Sequence, residues 1–331
     1  MKQKRKIPFC VRVVLFILIL GFIIQRVSLI VQVWGTKEDD PDRRAGLFFT
    51  LPKNTVDCLL VGTSHIYCGF DPEQIYEETG LQSASIATSS QSYQNSYWLL
   101  KEALRKQQPK YVVMDIHSVT TAADEQVRNF RLHYTSGISI MPDLSVNKLL
   151  AYLDIKYHNT DWVENMTIYD AYGFLEYKSE YTREQYRISE LGNLLIDPKK
   201  EYKTLGFYPT TDIYPVEELV AYISSEETID FYQTQECEYL CKIKNLLDEK
   251  NIQLILVRAP YTMPEFDDKH LSEQAIEWAE KEEIPFIDFF PLIGELGIDL
   301  QHDFRDSDHL NQWGAKKATK YLAEYLNKIG D

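Results

Sequence analysis

The chain has 331 residues, of which 44% are hydrophobic, and its formal net charge at pH 7 is −15. This length suffices for one large α/β domain with insertions or for two small domains. Residues 1–34 contain six Lys and Arg and no acidic residue, so the rest of the chain carries 29 Lys and Arg against 50 Asp and Glu. A domain this acidic repels nucleic acid and anionic lipid, which excludes polyanion binding as its main function.

The N-terminal stretch of residues 7–34 is almost wholly apolar. It is long enough for a transmembrane helix of roughly 20 residues, although its unbroken apolar core, Val13–Ile24, is shorter. Basic residues crowd positions 2–6 and predict a cytoplasmic N-terminus. No small-x-small cleavage site follows the apolar core, which argues against the alternative, a cleaved signal peptide. The predicted organisation is a cytoplasmic tip and membrane anchor over 1–34, a linker over 35–55 and an extracytoplasmic domain over 56–331.

Beyond the linker, short apolar runs alternate with helical patterns. Five runs are bounded like buried strands and lie at Val56–Val61, Ala84–Ala87, Tyr111–Ile116, Gln253–Val257 and Pro285–Phe289. Helical patterns are expected at Ile229–Lys250, at Ser272–Glu282 and after Asn311, a candidate N-cap. This alternation predicts an α/β fold with a doubly wound parallel sheet.

The segment from about residue 122 to 228 is less regular and rich in tyrosine. We interpret it as a helical insertion that forms a cap over a binding crevice at the edge of the predicted sheet. Its aromatic residues suit stacking on sugar rings, or they form the small core of the insertion itself.

Ser64 follows the first predicted strand, and Gly62 permits the tight turn between them. In open α/β sheets, binding crevices form at the carboxyl ends of the strands. A serine there is a nucleophile only with a base to take its proton. His309 is the candidate base, and Asp306, three residues earlier, is the candidate group that orients its ring. Asp308 is the alternative orienting group, and the hypothesis requires that two distant stretches meet.

These paired motifs, Gly62-Thr63-Ser64 and Asp306-x-x-His309, resemble the SGNH (GDSL-like) hydrolase superfamily. The closer resemblance is to its membrane-anchored, envelope-modifying branch, which includes DltD-like and alginate-acetylation-like proteins. The resemblance runs from roughly Val56 to Ser118 and again from Ile252 to Leu326. It implies a flavodoxin-like three-layer sandwich with about five parallel strands, in which Ser64, His309 and Asp306 are the catalytic residues.

The resemblance also implies donors to an oxyanion, usually a glycine after the second strand and an asparagine after the third. This chain has neither residue at those places. Ser89, Ser90 and Gln91 occupy the first loop, and His117 follows the third strand as a candidate donor or a structural histidine. Arg258, after the fourth strand, is expected either to meet an anionic substrate group or to pair with an acidic residue.

The function predicted from these features is a membrane-anchored, extracytoplasmic serine esterase or acyltransferase. Its expected substrates are O-acyl groups of a cell-envelope polysaccharide or a teichoic-acid-like polymer, and its expected partners are the membrane and envelope-assembly membrane proteins. An acyl-serine mechanism requires no metal or organic cofactor. The five cysteines show no zinc-site spacing and are expected to be free thiols. The alternative is a non-catalytic protein of the same fold that binds glycan or assists envelope assembly.

Overall fold

A single parallel sheet forms the centre of the computed structural model, which describes residues 8–34, 45–117, 137–138, 140–142, 145–158, 206–217, 229–262 and 269–330. Strands β1 to β5 are Cys58–Val61, Ser83–Ser85, Tyr111–Asp115, Gln253–Arg258 and Phe286–Asp288. Their order across the sheet is β2-β1-β3-β4-β5, and every neighbouring pair is parallel. All five predicted strands are therefore confirmed, with ends that differ by no more than two residues.

Helices lie between the strands, as the alternating pattern predicts. Helices α1 to α8 are Phe9–Trp34, Ser64–Gly69, Pro72–Thr79, Tyr93–Ala103, Val146–His158, Gln235–Asp248, Lys269–Lys281 and Gln312–Gly330. The predicted cap of α8 is confirmed, because Asn311 Oδ1 accepts the N–H groups of Trp313 and Gly314 at 3.0 and 3.2 Å. The single helix predicted over Ile229–Lys250 is wrong in one respect. The hydroxyl of Thr234 caps α6 by accepting the N–H of Cys237, so a separate 3-10 turn precedes the helix.

The two faces of the sheet pack against different helices. Along β1, Leu59 and Val61 face one apolar cluster, whereas Cys58 and Leu60 face the other. The first cluster includes apolar residues of α4, α5, α6 and α7, and the second includes those of α2, α3 and α8. Side chains of successive strand residues point to opposite faces, so strands buried on both sides must be continuously apolar. The fold is thus a three-layer α/β/α sandwich with the strand order of flavodoxin-like proteins.

Part of the segment predicted as a linker packs into the domain. Residues 45–46 are helical, Leu47–Thr50 forms a 3-10 turn, and Phe48 and Phe49 are buried in the first apolar cluster. The sequence pattern missed this packing because charged residues, proline and glycine surround the two phenylalanines. The domain therefore begins before residue 56.

Helix α1 covers most of the predicted membrane anchor, and its side chains are described over residues 8–23. Most of these are apolar and exposed. The transmembrane helix predicted for this stretch is not found: within the described residues, no helix is long and apolar enough to cross a bilayer.

The predicted helical insertion is described only in part. Helix α5 belongs to it and packs beside α4 and α6, where Asp154 accepts hydrogen bonds from Trp98 Nε1 at 2.7 Å and from the Tyr239 hydroxyl at 2.5 Å. The predicted cap over the crevice falls mainly on residues 159–205 and 218–228, outside the described residues.

Candidate active site

Ser64 lies at the point where the strand order of the sheet reverses. It is the first residue of α2 and follows β1, whose neighbours β2 and β3 lie on opposite sides. Gly62 makes the turn with φ of 139°, a conformation that favours glycine. As the first residue of a helix, Ser64 has a backbone N–H without an intrahelical acceptor, which is therefore available to a developing oxyanion.

The two distant motifs meet at this point. His309 Nε2 lies 2.8 Å from Ser64 Oγ, and His309 Nδ1 lies 3.0 Å from Asp306 Oδ1. Asp306 Oδ1 also accepts the backbone N–H groups of Asp308 and His309 at 2.9 and 2.7 Å, so the loop folds around this carboxylate. The arrangement of hydroxyl, imidazole and carboxylate is that of a nucleophile, a base and an orienting group.

The protonation of Asp306 suits this arrangement. Burial acts to raise its pKa, but the hydrogen bond and charge of His309, together with the backbone N–H groups of Asp308 and His309, outweigh burial and hold the pKa below its ordinary value. An ionised Asp306 accepts the Nδ1 proton of His309, which leaves the Nε2 lone pair directed at the Ser64 hydroxyl. This is the tautomer that a general base requires.

A second, buried carboxylate supports the turn beneath Ser64. Asp115, at the end of β3, accepts the N–H of Thr63 at 3.1 Å and its hydroxyl at 2.5 Å. Because the hydroxyl hydrogen is donated to Asp115, Thr63 Oγ1 accepts from Nδ1 of His65, 3.2 Å away. Sequence reasoning missed Thr63 and Asp115, although both are polar residues at the ends of what it predicted as buried strands.

Asp308 forms a second histidine–aspartate pair beside the first. Its Oδ1 lies 3.2 Å from His65 Nε2, and its Oδ2 lies 3.8 Å from His309 Nε2. The rings of His65 and His309 stack with centroids 4.8 Å apart. Asp308 therefore faces the nitrogen that receives the serine proton, whereas Asp306 faces the opposite nitrogen. This geometry favours Asp306 over Asp308 as the orienting group.

Asp308 is ionised for the same reason as Asp306. Burial acts to raise its pKa, but the charges of His65, His309 and His117 and the hydrogen bond of His65 outweigh burial and hold the pKa well below its ordinary value. A carboxylate charge therefore persists between the two stacked imidazoles at neutral pH.

The candidate oxyanion loop after β2 is held by its own hydrogen bonds. The buried Gln91 side chain accepts from Thr88 Oγ1 at 2.8 Å and donates to Ser96 Oγ at 2.9 Å. Ser89 Oγ lies 3.0 Å from the Tyr67 hydroxyl of α2, and Ser90 has a positive φ of 49°. The loop is thus tied to the helix that begins with Ser64, while its role towards an oxyanion stays a prediction.

The other two candidates lie in different surroundings. The His117 ring packs on the His65 ring with centroids 4.0 Å apart, next to the site. Arg258 forms a two-point ion pair with Asp288 on β5, with Nε 2.8 Å from Oδ1, and donates from Nη1 to Ser272. The pairing with Asp288 matches the second alternative for Arg258, an ion pair with an acidic residue. Its contacts join β4 to β5 and to α7.

Cys68, the cysteine on the helix that begins with Ser64, does not compete with that serine as a nucleophile. All five cysteines are free thiols, which confirms the sequence prediction. Cys68 lies on α2, one turn beyond Ser64, and burial raises its pKa to about 12. Since only the thiolate is a good nucleophile, Cys68 is unreactive at neutral pH.

Replacement of Asp115 by asparagine is expected to change the pH dependence of stability. Burial raises the pKa of Asp115 to about 6 from an ordinary value of 3.8, even though the hydrogen bonds of Thr63 and the charge of His65 oppose the shift. Between these values the folded state keeps a proton that the unfolded state has lost, so the contribution of Asp115 to stability falls as pH rises. Across this window the decrease amounts to about 3 kcal/mol.

Urea denaturation of both proteins at pH 4, 5, 6 and 7 tests this expectation. The wild-type free energy of unfolding, taken relative to that of Asp115→Asn, should decrease from pH 4 to pH 7. Two profiles that run parallel over this range would contradict the assignment.

Comparison with known proteins gives distant likenesses to solved structures. No family model matches the chain, and no curated protein matches its sequence. A Desulfitobacterium hafniense DCB-2 structure, provisionally described as a lipolytic protein of the G-D-S-L family, has 11% identity and a TM-score of 0.39, covering 82% of this chain and 99% of that one. A Bacteroides fragilis NCTC 9343 structure, provisionally described as an acylhydrolase, has 10% identity and a TM-score of 0.40, covering 89% and 99%. Likenesses at this level carry no inference about activity.

Proposed function

We propose that this protein is a serine-dependent esterase or acyltransferase that acts on O-acyl groups. One observation carries the proposal: Ser64 Oγ lies 2.8 Å from His309 Nε2, and the other nitrogen of that ring lies 3.0 Å from Asp306. A serine and a histidine so distant in sequence are hydrogen-bonded at a strand-order reversal, where α/β proteins bind ligands.

The reaction follows from the positions of these atoms. His309 Nε2 takes the proton of the Ser64 hydroxyl as its oxygen attacks the ester carbonyl, and Asp306 stabilises the imidazolium that forms. The N–H of Ser64 donates to the oxyanion of the tetrahedral intermediate. His309 then gives its proton to the leaving alcohol, which leaves an acyl group on Ser64. Water or a sugar hydroxyl, deprotonated by His309, attacks that acyl group and restores the free serine.

The proposed substrate is an O-acylated cell-envelope polysaccharide or a teichoic-acid-like polymer, and the proposed location is the extracytoplasmic face of a membrane. These finer points are supported by sequence pattern alone: the paired motifs, the basic residues near the N-terminus and the apolar stretch that follows them. Hydrolysis and transfer share the acyl-serine and differ only in the acceptor of the acyl group.

A fluorophosphonate probe on the full-length protein in detergent tests the proposal. The probe phosphonylates only an activated serine, so we expect one modified peptide, which mass spectrometry assigns to Ser64. The wild type should also hydrolyse p-nitrophenyl acetate. Ser64→Ala should lose both reactions, because no other hydroxyl is paired with His309 in the part of the chain that the structure describes.

Ser83→Ala is a matched control, since Ser83 is a half-buried serine at the start of β2, where its hydroxyl donates to the Leu81 carbonyl at 3.0 Å. It should retain labelling at Ser64. A folded wild type that is not labelled by the probe and does not hydrolyse the ester would contradict the proposal. It would favour the alternative, a non-catalytic protein that binds glycan or assists envelope assembly.

A further inference from the structure

Three groups beside Ser64 direct acceptor atoms towards one place. They are Nε2 of His65, the carboxylate of Asp308 and Nε2 of His309, and their nearest ligand atoms all lie within 4.8 Å of one another. The carboxylate lies between the two rings, 3.2 Å from one nitrogen and 3.8 Å from the other. Two acceptors at such distances require a cation between them, either a proton or a metal ion.

Hydrogen bonds on the far side of each ring fix which nitrogen faces this place. His309 Nδ1 is held by Asp306 at 3.0 Å, and His65 Nδ1 is held at 3.2 Å by Thr63, which is itself bound to Asp115. His309 thus donates its Nδ1 proton to a carboxylate, and His65 donates its Nδ1 proton to a hydroxyl that a carboxylate holds. Both rings present the Nε2 lone pair inward. Histidines that bind metals are oriented by such carboxylate-backed contacts.

The distances suit a small tetrahedral ion. Zinc binds imidazole nitrogen and carboxylate oxygen at about 2.0–2.2 Å, so two of its ligands lie about 3.3 Å apart. The 3.2 Å between His65 Nε2 and Asp308 Oδ1 is close to this value, and the other carboxylate oxygen, Oδ2, lies 3.8 Å from His309 Nε2. Ser64 Oγ lies 2.8 Å from His309 Nε2, which is one of the three ligand atoms.

We propose that His65, Asp308 and His309 form a binding site for a divalent transition-metal ion, with Zn²⁺ as the best match. Two imidazoles and one carboxylate favour Zn²⁺ over Mg²⁺ and Ca²⁺, which prefer oxygen ligands. The bound ion occupies the lone pair with which His309 takes the Ser64 proton. Zinc is therefore a reversible inhibitor of the esterase, and this consequence, unlike the binding itself, rests on the proposed function.

Isothermal titration of the full-length protein with ZnCl₂ tests the site directly. The thiols are first alkylated, so that Cys10 and Cys241, which are not fully buried, do not bind the ion. We expect one site that Mg²⁺ does not fill and whose affinity falls at least tenfold in both His65→Gln and Asp308→Asn. His302→Gln is the matched control, because His302 pairs with Asp303 at 3.0 Å outside the site, and it should bind zinc like the wild type.

The variants differ in their risk of misfolding. His65 is 3% exposed, whereas the Asp308 side chain is 33% exposed, so Asp308→Asn is less disruptive to folding. If His65→Gln does not fold, the zinc affinity of Asp308→Asn tests the site. Zinc binding that is the same in the wild type and Asp308→Asn would overturn the site.

Ester hydrolysis gives an independent readout. If the wild type is active, zinc should inhibit ester hydrolysis and EDTA should restore the rate. Zinc that binds without inhibiting would show that His309 is not one of its ligands. A protein that binds zinc through Asp308 but never hydrolyses ester would leave the metal site standing and remove the proposed function instead.

Discussion

Replacing His309 by alanine is expected to lower kcat for p-nitrophenyl ester hydrolysis by about 10³- to 10⁶-fold, with little change in KM. The reason is that His309 Nε2, 2.8 Å from Ser64 Oγ, is the atom that takes the serine proton. Without it, the hydroxyl stays protonated and is a weak nucleophile at neutral pH. Steady-state kinetics measure the loss, and added imidazole should restore part of the rate by occupying the vacated space.

The two aspartates on either side of the His309 ring should respond differently to the same change. Asp306→Asn removes the charge that holds Nδ1 protonated and should lower kcat by about 10²- to 10⁴-fold. Asp308→Asn leaves that contact intact, since Asp308 faces Nε2 from 3.8 Å, and should cost less than about tenfold. A larger effect at Asp308 than at Asp306 would make Asp308 the orienting group and contradict the assignment.

The sheet was the most predictable part of this protein, for a simple physical reason. A parallel strand covered on both faces must be apolar along its buried length. β1 is such a run, and β3 and β4 depart from it only at their ends. Helical patterns also located α7 and α8. The strand order was expected only from the resemblance to a flavodoxin-like sandwich, because alternating strands and helices are compatible with more than one order.

The pairing of Ser64 with His309 was predictable only as a hypothesis. Each residue stands at the edge of a recognisable element, but neither pattern specifies a contact between residues this far apart in sequence. The structure supplies the distance of 2.8 Å, while the chemical roles of Ser64, His309 and Asp306 stay predictions until they are measured.

The supporting residues could not be predicted, because their roles arise from the neighbours that folding gives them. An aspartate at a strand end is ordinarily solvated, yet Asp115 is 1% exposed because the Thr63 turn closes over it. Asp308 belongs to the same motif as Asp306, and only the fold directs one to each side of the ring. Phe48 and Phe49 were missed because the residues around them have the composition of a linker. Their burial, 2% and 5% exposed, is visible only in the structure.

Replacing Gly62 by alanine is expected to destabilise the protein by about 3 kcal/mol and to lower the activity of the fraction that stays folded. The backbone at Gly62 has φ of 139°, and a β-carbon there would lie 2.3 Å from Asp115 Oδ1. Asp115 cannot move aside without losing its hydrogen bonds to Thr63, the residue that joins Gly62 to Ser64. The new methyl group must therefore shift either the carboxylate or the turn that aims the nucleophile.

Gly80→Ala measures the cost of an alanine at a positive φ in the absence of this collision. Gly80 also has a positive φ, 74°, but nothing lies within 4 Å of the place where its β-carbon would stand. That variant should cost only about 1 kcal/mol, the strain of a left-handed residue, and should keep its full rate of ester hydrolysis. Equal losses of stability in the two variants, measured by urea denaturation, would mean that the Asp115 carboxylate gives way freely. In that case its contacts with Thr63 would not be what holds Ser64 in place.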